Sequence, residues 1–101
     1  AQNMEEKLAL IARRAQVLCI THLPQIAAFA DRHLYIYKQA AGERTVTRIT
    51  ALIGAEQVRE IMRMSGGENT SRAAMGSAKE LLTAAQKFKE RRENLFVTPQ
   101  A

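Results

Sequence analysis

At 101 residues the chain holds at most one domain, and 47% hydrophobic against 25% charged residues is the balance of an ordinary globular protein. No apolar run approaches the ~18 residues that a membrane span needs, no signal-peptide pattern opens the chain, and one cysteine excludes an internal disulfide framework and suits a reducing cytoplasm. The 15 Lys and Arg exceed the 10 Asp and Glu for a net charge of +5, a mild excess whose distribution tells more than its total.

Without tryptophan, and with three Phe and two Tyr, any core is built from Leu, Ile, Val, Ala and Met. Residues 2–14 read as an amphipathic helix with Met4, Leu8 and Ile11 on one stripe, Glu5, Glu6 and Lys7 largely outside it, and Arg13 and Arg14 at its close. Residues 16–21 follow as a strand. The run 17–20 is apolar without alternation, the pattern of a strand buried on both faces in a parallel sheet. Pro24 opens a short helix over 24–30, because its fixed φ and missing N–H suit a first helical turn. That helix packs Ile26, Ala27 and Phe29 and ends at Asp31 and Arg32. Helix, strand, helix is a fragment of a doubly wound α/β layer.

Residues 33–38 and 44–52, rich in Tyr, Ile, Val and Thr on either side of a turn at Ala40, Ala41 and Gly42, predict a β-hairpin. Tyr35 and Tyr37 share one strand face, as amphipathic sheet residues first and as a partner surface second. A helix over 55–64 turns Val58, Ile61 and Met62 inward and stops at Gly66 and Gly67. Asn69, Thr70 and Ser71 offer N-caps for a last helix reaching about Arg92, with a stripe of Ala74, Ala78, Leu81, Ala85 and Phe88 and Leu82 beside it. Gly76 within it costs about 1 kcal/mol relative to Ala, which points to a weaker helix there or to close packing. Met62, Met64 and Met75 read as packing residues, and 94–101 as a flexible tail.

His22 is the leading functional candidate. It lies just past the carboxyl end of the predicted strand, where open α/β sheets bind their ligands. Gln25, in the first turn of the next helix, reaches the same place, and Thr21 caps the turn. Cys19 and His22 have a C-x-x-H spacing, but zinc needs three or four ligands and the chain adds only His33 and scattered carboxylates. No metal site is expected, and Cys19 reads as a small core hydrophobe. Lys87, Lys89, Arg91 and Arg92 crowd the last helical turns, where each interacts with the macrodipole by ~0.3–1 kcal/mol. They are also candidates for nucleic-acid contact, though without the interleaved aromatics that stack bases.

The stretch Val17-Leu18-Cys19-Ile20-Thr21-His22-Leu23-Pro24-Gln25-Ile26-Ala27-Ala28-Phe29-Ala30-Asp31 resembles the switch-histidine segment of the RecN family, SMC-like ABC ATPases of DNA double-strand-break repair. Gly42-Glu43-Arg44-Thr45-Val46-Thr47-Arg48-Ile49 resembles the hairpin that follows in that family. Val58-Arg59-Glu60-Ile61-Met62-Arg63-Met64-Ser65-Gly66-Gly67 resembles its next helix end, and Ala78-Lys79-Glu80-Leu81-Leu82 its last helix. The likeness runs in order through about residue 85.

The resemblance implies an α/β fold class: residues 1–93 as the C-terminal part of an ABC-type ATPase head, a P-loop NTPase fold. It implies ATP and Mg in the complete protein, with His22 approaching the γ-phosphate and helping to hold the attacking water. It further implies as partners the rest of the head, a second protomer engaged across sandwiched ATP, and DNA, in the bacterial cytoplasm at the nucleoid and away from membranes.

The chain has no G-x-x-x-x-G-K-[ST] phosphate loop, no apolar strand ending in paired acidic residues and no LSGGQ-like signature. Ser65-Gly66-Gly67-Glu68 only echoes the signature, on the wrong side of the histidine segment. The expectation is therefore the tail of a larger protein, inactive towards ATP by itself. Two alternatives remain at this stage: the tail of another ABC or SMC-type ATPase, and a non-enzymatic DNA- or protein-binding module.

Overall fold

The computed structural model describes residues 3–66 and 71–95. Its elements run α1 (Met4–Ile11), α2 (Pro24–Ala28), β1 (His33–Ala41), β2 (Arg44–Leu52), α3 (Ala55–Gly66) and α4 (Arg72–Leu95). The architecture is mixed α/β: helices gathered on α4 and one antiparallel hairpin. The tail expected over 94–101 lies outside the described residues apart from the end of α4, as do Asn69 and Thr70.

Each element follows from local chemistry. Asn3 caps α1: its Oδ1 accepts from the Glu6 N–H at 3.0 Å, and the Glu6 carboxylate accepts from the Asn3 N–H at 3.4 Å. Pro24 holds the first position of α2, as its ring geometry favours. Ser71 supplies the cap of α4, its Oγ accepting from the Ala74 N–H at 3.1 Å. Gly42, at φ +65°, is the first residue of the two-residue hairpin turn Gly42-Glu43. A positive φ there followed by a negative one is the type II′ pattern, whose twist matches the strands it joins.

The core is small and alanine-rich. Ala27 and Ala28 of α2, Ile61 and Met62 of α3, and Ala78 and Ala85 of α4 form it, with Phe29, Val58, Met64, Ala74, Leu81 and Leu82 packed around. Small side chains on α4 let α2 and α3 approach closely, and Ile61, fully buried, contributes about 1.5–3 kcal/mol of transfer free energy. Phe29 and Phe88 meet at 5.8 Å with their rings tilted by 57°, tying α2 to α4. The expected stripes of α3 and α4 are the ones that bury.

Four expectations need correction. Residues 16–21 form no strand: they have no regular secondary structure, with Leu18 83% and Ile20 88% exposed and Cys19, expected in the core, in solvent. A strand buried on both faces requires neighbouring strands and covering helices, and among the described residues the hairpin is the only sheet. On α1 it is Ala9 that is buried, while Met4 and Ile11 are exposed, because α4 and α2 cover only part of this short helix. Gly76 has open space where a Cβ would stand, so close packing does not explain it. Met75 is also largely exposed, unlike Met62 and Met64.

In the hairpin, Tyr37 pairs with Arg48 and Ile36 with Ile49. One face carries Leu34, Ile36, Ile49 and Ala51, and the other carries His33, Tyr35, Tyr37, Arg48, Thr50 and Leu52. The strands pack chiefly on each other. A radius of gyration of 16.2 Å, against the ~13 Å of a compact chain this long, fits an arm that stands off the helices.

Candidate functional site

The histidine loop is built from an irregular apolar run and a short helix. After 16–20, Thr21 Oγ1 accepts from the Leu23 N–H at 3.0 Å, a side-chain turn that bends the chain at His22. Leu23 then accepts from the Ile26 and Ala27 N–H groups at 3.1 Å and starts α2. His22 and Gln25 are both exposed, His22 at the bend and Gln25 in the first turn of α2. Thr21 takes the capping role expected of it.

The loop is anchored where it leaves and rejoins the helices. Arg92, with a side chain 11% exposed, donates to the Ala9 carbonyl at 3.2 Å and to the Asp31 carboxylate at 3.0 Å. Lys89 donates to the Ala30 carbonyl at 3.0 Å and lies 3.5 Å from the same carboxylate. Arg13, just beyond α1, pairs with Glu93 at 2.8 Å. Lys89 and Arg92 thus neutralise carbonyls at the ends of other elements. The other two cations of that group differ: Lys87 is exposed, and the Arg91 guanidinium lies 5.9 Å from the Phe88 ring centroid.

The cations expected to serve their own helix's dipole instead make contacts across the fold. The signal available was the i, i+3 spacing of Lys89 and Arg92 with one acidic residue, Asp31, at the end of a short helix.

A second polar group sits at the root of the hairpin. Glu60 of α3 holds Arg63 through both carboxylate oxygens, one of them at 3.0 Å, and this raises the Arg63 guanidinium above its ordinary range. His33 Nδ1 is buried without a hydrogen-bond partner among the described residues. Burial lowers the His33 pKa, and the Glu60 charge partly offsets that. Asp31, Arg32, His33, Leu52, Ile53 and Gln57 line a shallow depression beside it. Further out, the Tyr35 and Tyr37 rings stack with centroids 5.5 Å apart.

No helix among the described residues is long and apolar enough to cross a membrane. No protein-family model matches the chain. Among curated proteins it is similar to the DNA repair protein RecN of Halalkalibacterium halodurans and to that of Bacillus subtilis. Each is 47% identical over 89 residues, which is 88% of this chain and 16% of the relative. The DNA repair protein RecN of Deinococcus radiodurans is 48% identical over 77 residues, 76% of this chain and 14% of the relative. The chain therefore spans about one sixth of the length of the relatives it matches. An identity this high over three quarters or more of the chain places it in the RecN family of DNA repair proteins.

Proposed function

We propose that this chain is the C-terminal portion of an ABC-type ATPase head, a P-loop NTPase fold, in a RecN-like protein of double-strand-break repair and recombination. In this reading His22 is the residue that meets the γ-phosphate of ATP. One observation carries it: residues 17–20 are apolar and without regular secondary structure, with Leu18, Cys19 and Ile20 exposed, and they run directly into the bend that presents His22. Such a segment has the character of a central strand awaiting parallel neighbours, and a side chain at its carboxyl end then stands at the ligand-binding edge.

The donor chemistry at the loop fits a phosphate. An imidazole N–H and the Gln25 amide are neutral, compact donors suited to the equatorial oxygens over which charge spreads in phosphoryl transfer. The loop offers no free carboxylate for Mg, since Asp31 is engaged by Lys89 and Arg92. The metal ligands, phosphate loop and general base then belong to other parts of the complete protein. When bound, ATP and Mg supply the transferable phosphoryl group and its charge neutralisation. The part of this chain is to hold His22 in place, with the second protomer and DNA as partners of the whole assembly.

The alternative of a free-standing binding module carried by Lys87, Lys89, Arg91 and Arg92 is less well served, because two of the four are turned inward. The test is a full-length RecN in which this segment replaces the corresponding one. His22→Ala is expected to lower ATP turnover about 10²–10³-fold, the usual cost of one transition-state donor, and to leave nucleotide binding nearly unchanged. Unaltered turnover would return His22 to a purely structural role.

A further inference from the structure

Helix α2 joins the His22 bend to a charged clamp. It is five residues long, about 7 Å, with the bend at its front and the clamp at its back. At the front, the Thr21 hydroxyl accepts from the Leu23 N–H, and the Leu23 carbonyl accepts from the N–H groups of Ile26 and Ala27, so the bend is fastened to the first turn. At the back, the chain leaves α2 through Phe29 and Ala30 and reaches Asp31. Lys89 and Arg92 of α4 converge there on one carboxylate oxygen, Oδ1, at 3.5 and 3.0 Å. Each also donates to a carbonyl, Lys89 to that of Ala30 at 3.0 Å and Arg92 to that of Ala9 at 3.2 Å. Glu93 stands 3.8 Å from Arg92 Nε and is itself held by Arg13.

Stability alone does not account for this arrangement. Lys89 and Arg92 keep only 12% and 11% of their side-chain surface in water, yet they share a single half-exposed carboxylate. Cations this dry gain little net stability from such a pair after desolvation, and what the pair fixes is geometry. Geometry is what α2 otherwise lacks. Ala27 and Ala28 bury only methyl groups, which hold the helix down without interdigitating, and the Phe29–Phe88 contact pins a single point. We propose that Asp31, gripped by Arg92 and Lys89, is a positioning residue: the clamp sets the tilt of α2 and thereby the approach of His22 to its phosphate. The inference rests on the reading of His22 as the residue that meets the γ-phosphate, and it adds the group that aims it. Asp31, Lys89 and Arg92 act through α2 and need no contact with the nucleotide.

The experiment is a double-mutant cycle on ATP turnover in the full-length chimera, with Asp31→Ala and His22→Ala made singly and together. Asp31 is the partner to change first, because its side chain is half-exposed and lies outside the core, so its loss leaves the packing in place. Asp31→Ala is expected to lower kcat by up to about 100-fold, the scale of misplacing a catalytic group by about 1 Å, with KM for ATP nearly unchanged. In the His22→Ala background the same change is expected to cost less than about twofold, since a side chain that is absent cannot be misaimed. Arg92→Gln, which opens the clamp from its other side, is expected to show the same dependence on His22. Three results overturn the proposal while leaving His22 its role: parental turnover in Asp31→Ala, a loss carried by KM, or an equal loss with and without His22 for either clamp variant. If His22→Ala itself leaves turnover unchanged, the γ-phosphate reading falls and the positioning role falls with it.

Discussion

At the root of β1, burial makes the His33 imidazole a weaker base than in water, and Glu60 restores only part of the difference. The unfolded chain binds a proton there near the ordinary value of 6.5, while the folded chain resists it. The contribution of His33 to stability is thus complete above that value and falls as the pH drops through it towards the lowered folded value. Urea melts at pH 7.5 and pH 5.5 should show lower stability at the acid point, and His33→Gln should narrow that gap. An equal gap in the variant would assign the acid loss to other groups. No pattern in the sequence announces this residue. His33 reads there as the first residue of a strand, and only the arrival of α3 with Glu60 gives it its environment. His22 is the converse case: its place after an apolar run and before a proline marks it in the sequence, and the structure adds the Thr21 bend that presents it.

Among the elements, α4 is the most legible and the one on which the rest depend. Its alanine and leucine positions recur with the helical period, and those positions bury. Gly76 interrupts it on the solvent side, with nothing near the position of a Cβ. Gly76→Ala should therefore stabilise the chain by about 1 kcal/mol, through lower backbone entropy in the unfolded state and higher helix propensity. A thermal melt should rise by roughly 4–8 °C. An unchanged or lower midpoint would mean that the position needs the freedom of glycine. The hairpin was legible for a related reason, since Gly42 supplies the positive φ of the turn and the β-branched residues flank it. The strand over 16–21 was not. Its apolar pattern states a preference for burial, but burial requires neighbours that are not found among the described residues.

For the molecule as a whole, exposed aliphatic surface is the dominant feature. Leu18 and Ile20, Leu34, Ile36 and Ile49, and Ile53 at 74% exposure all lie in water. Their hydrophobic free energy is uncollected in this chain, so replacing them leaves its own stability almost untouched. Leu18→Asp with Ile20→Asp should shift the unfolding free energy of the 101-residue chain by no more than about 0.5 kcal/mol per site. It should also reduce any self-association seen by analytical ultracentrifugation, because exposed extended apolar segments are adhesive. The same pair placed in the full-length chimera should abolish its folding or its ATP turnover. A chimera that tolerates both aspartates would show that this segment stays uncovered there too, and the head reading would fall.

The loop that bears His22 leaves α1 near Ala9 and returns at Ala30 and Asp31, and two side chains one helical turn apart on α4 hold both departures. It is strung like a bow across a single span of helix, with Arg92 at one nock and Lys89 at the other. Sliding α4 along its axis would slacken or tighten both ends together. The two ends of the histidine loop are therefore tied from behind to one helix, through side chains placed a single turn apart.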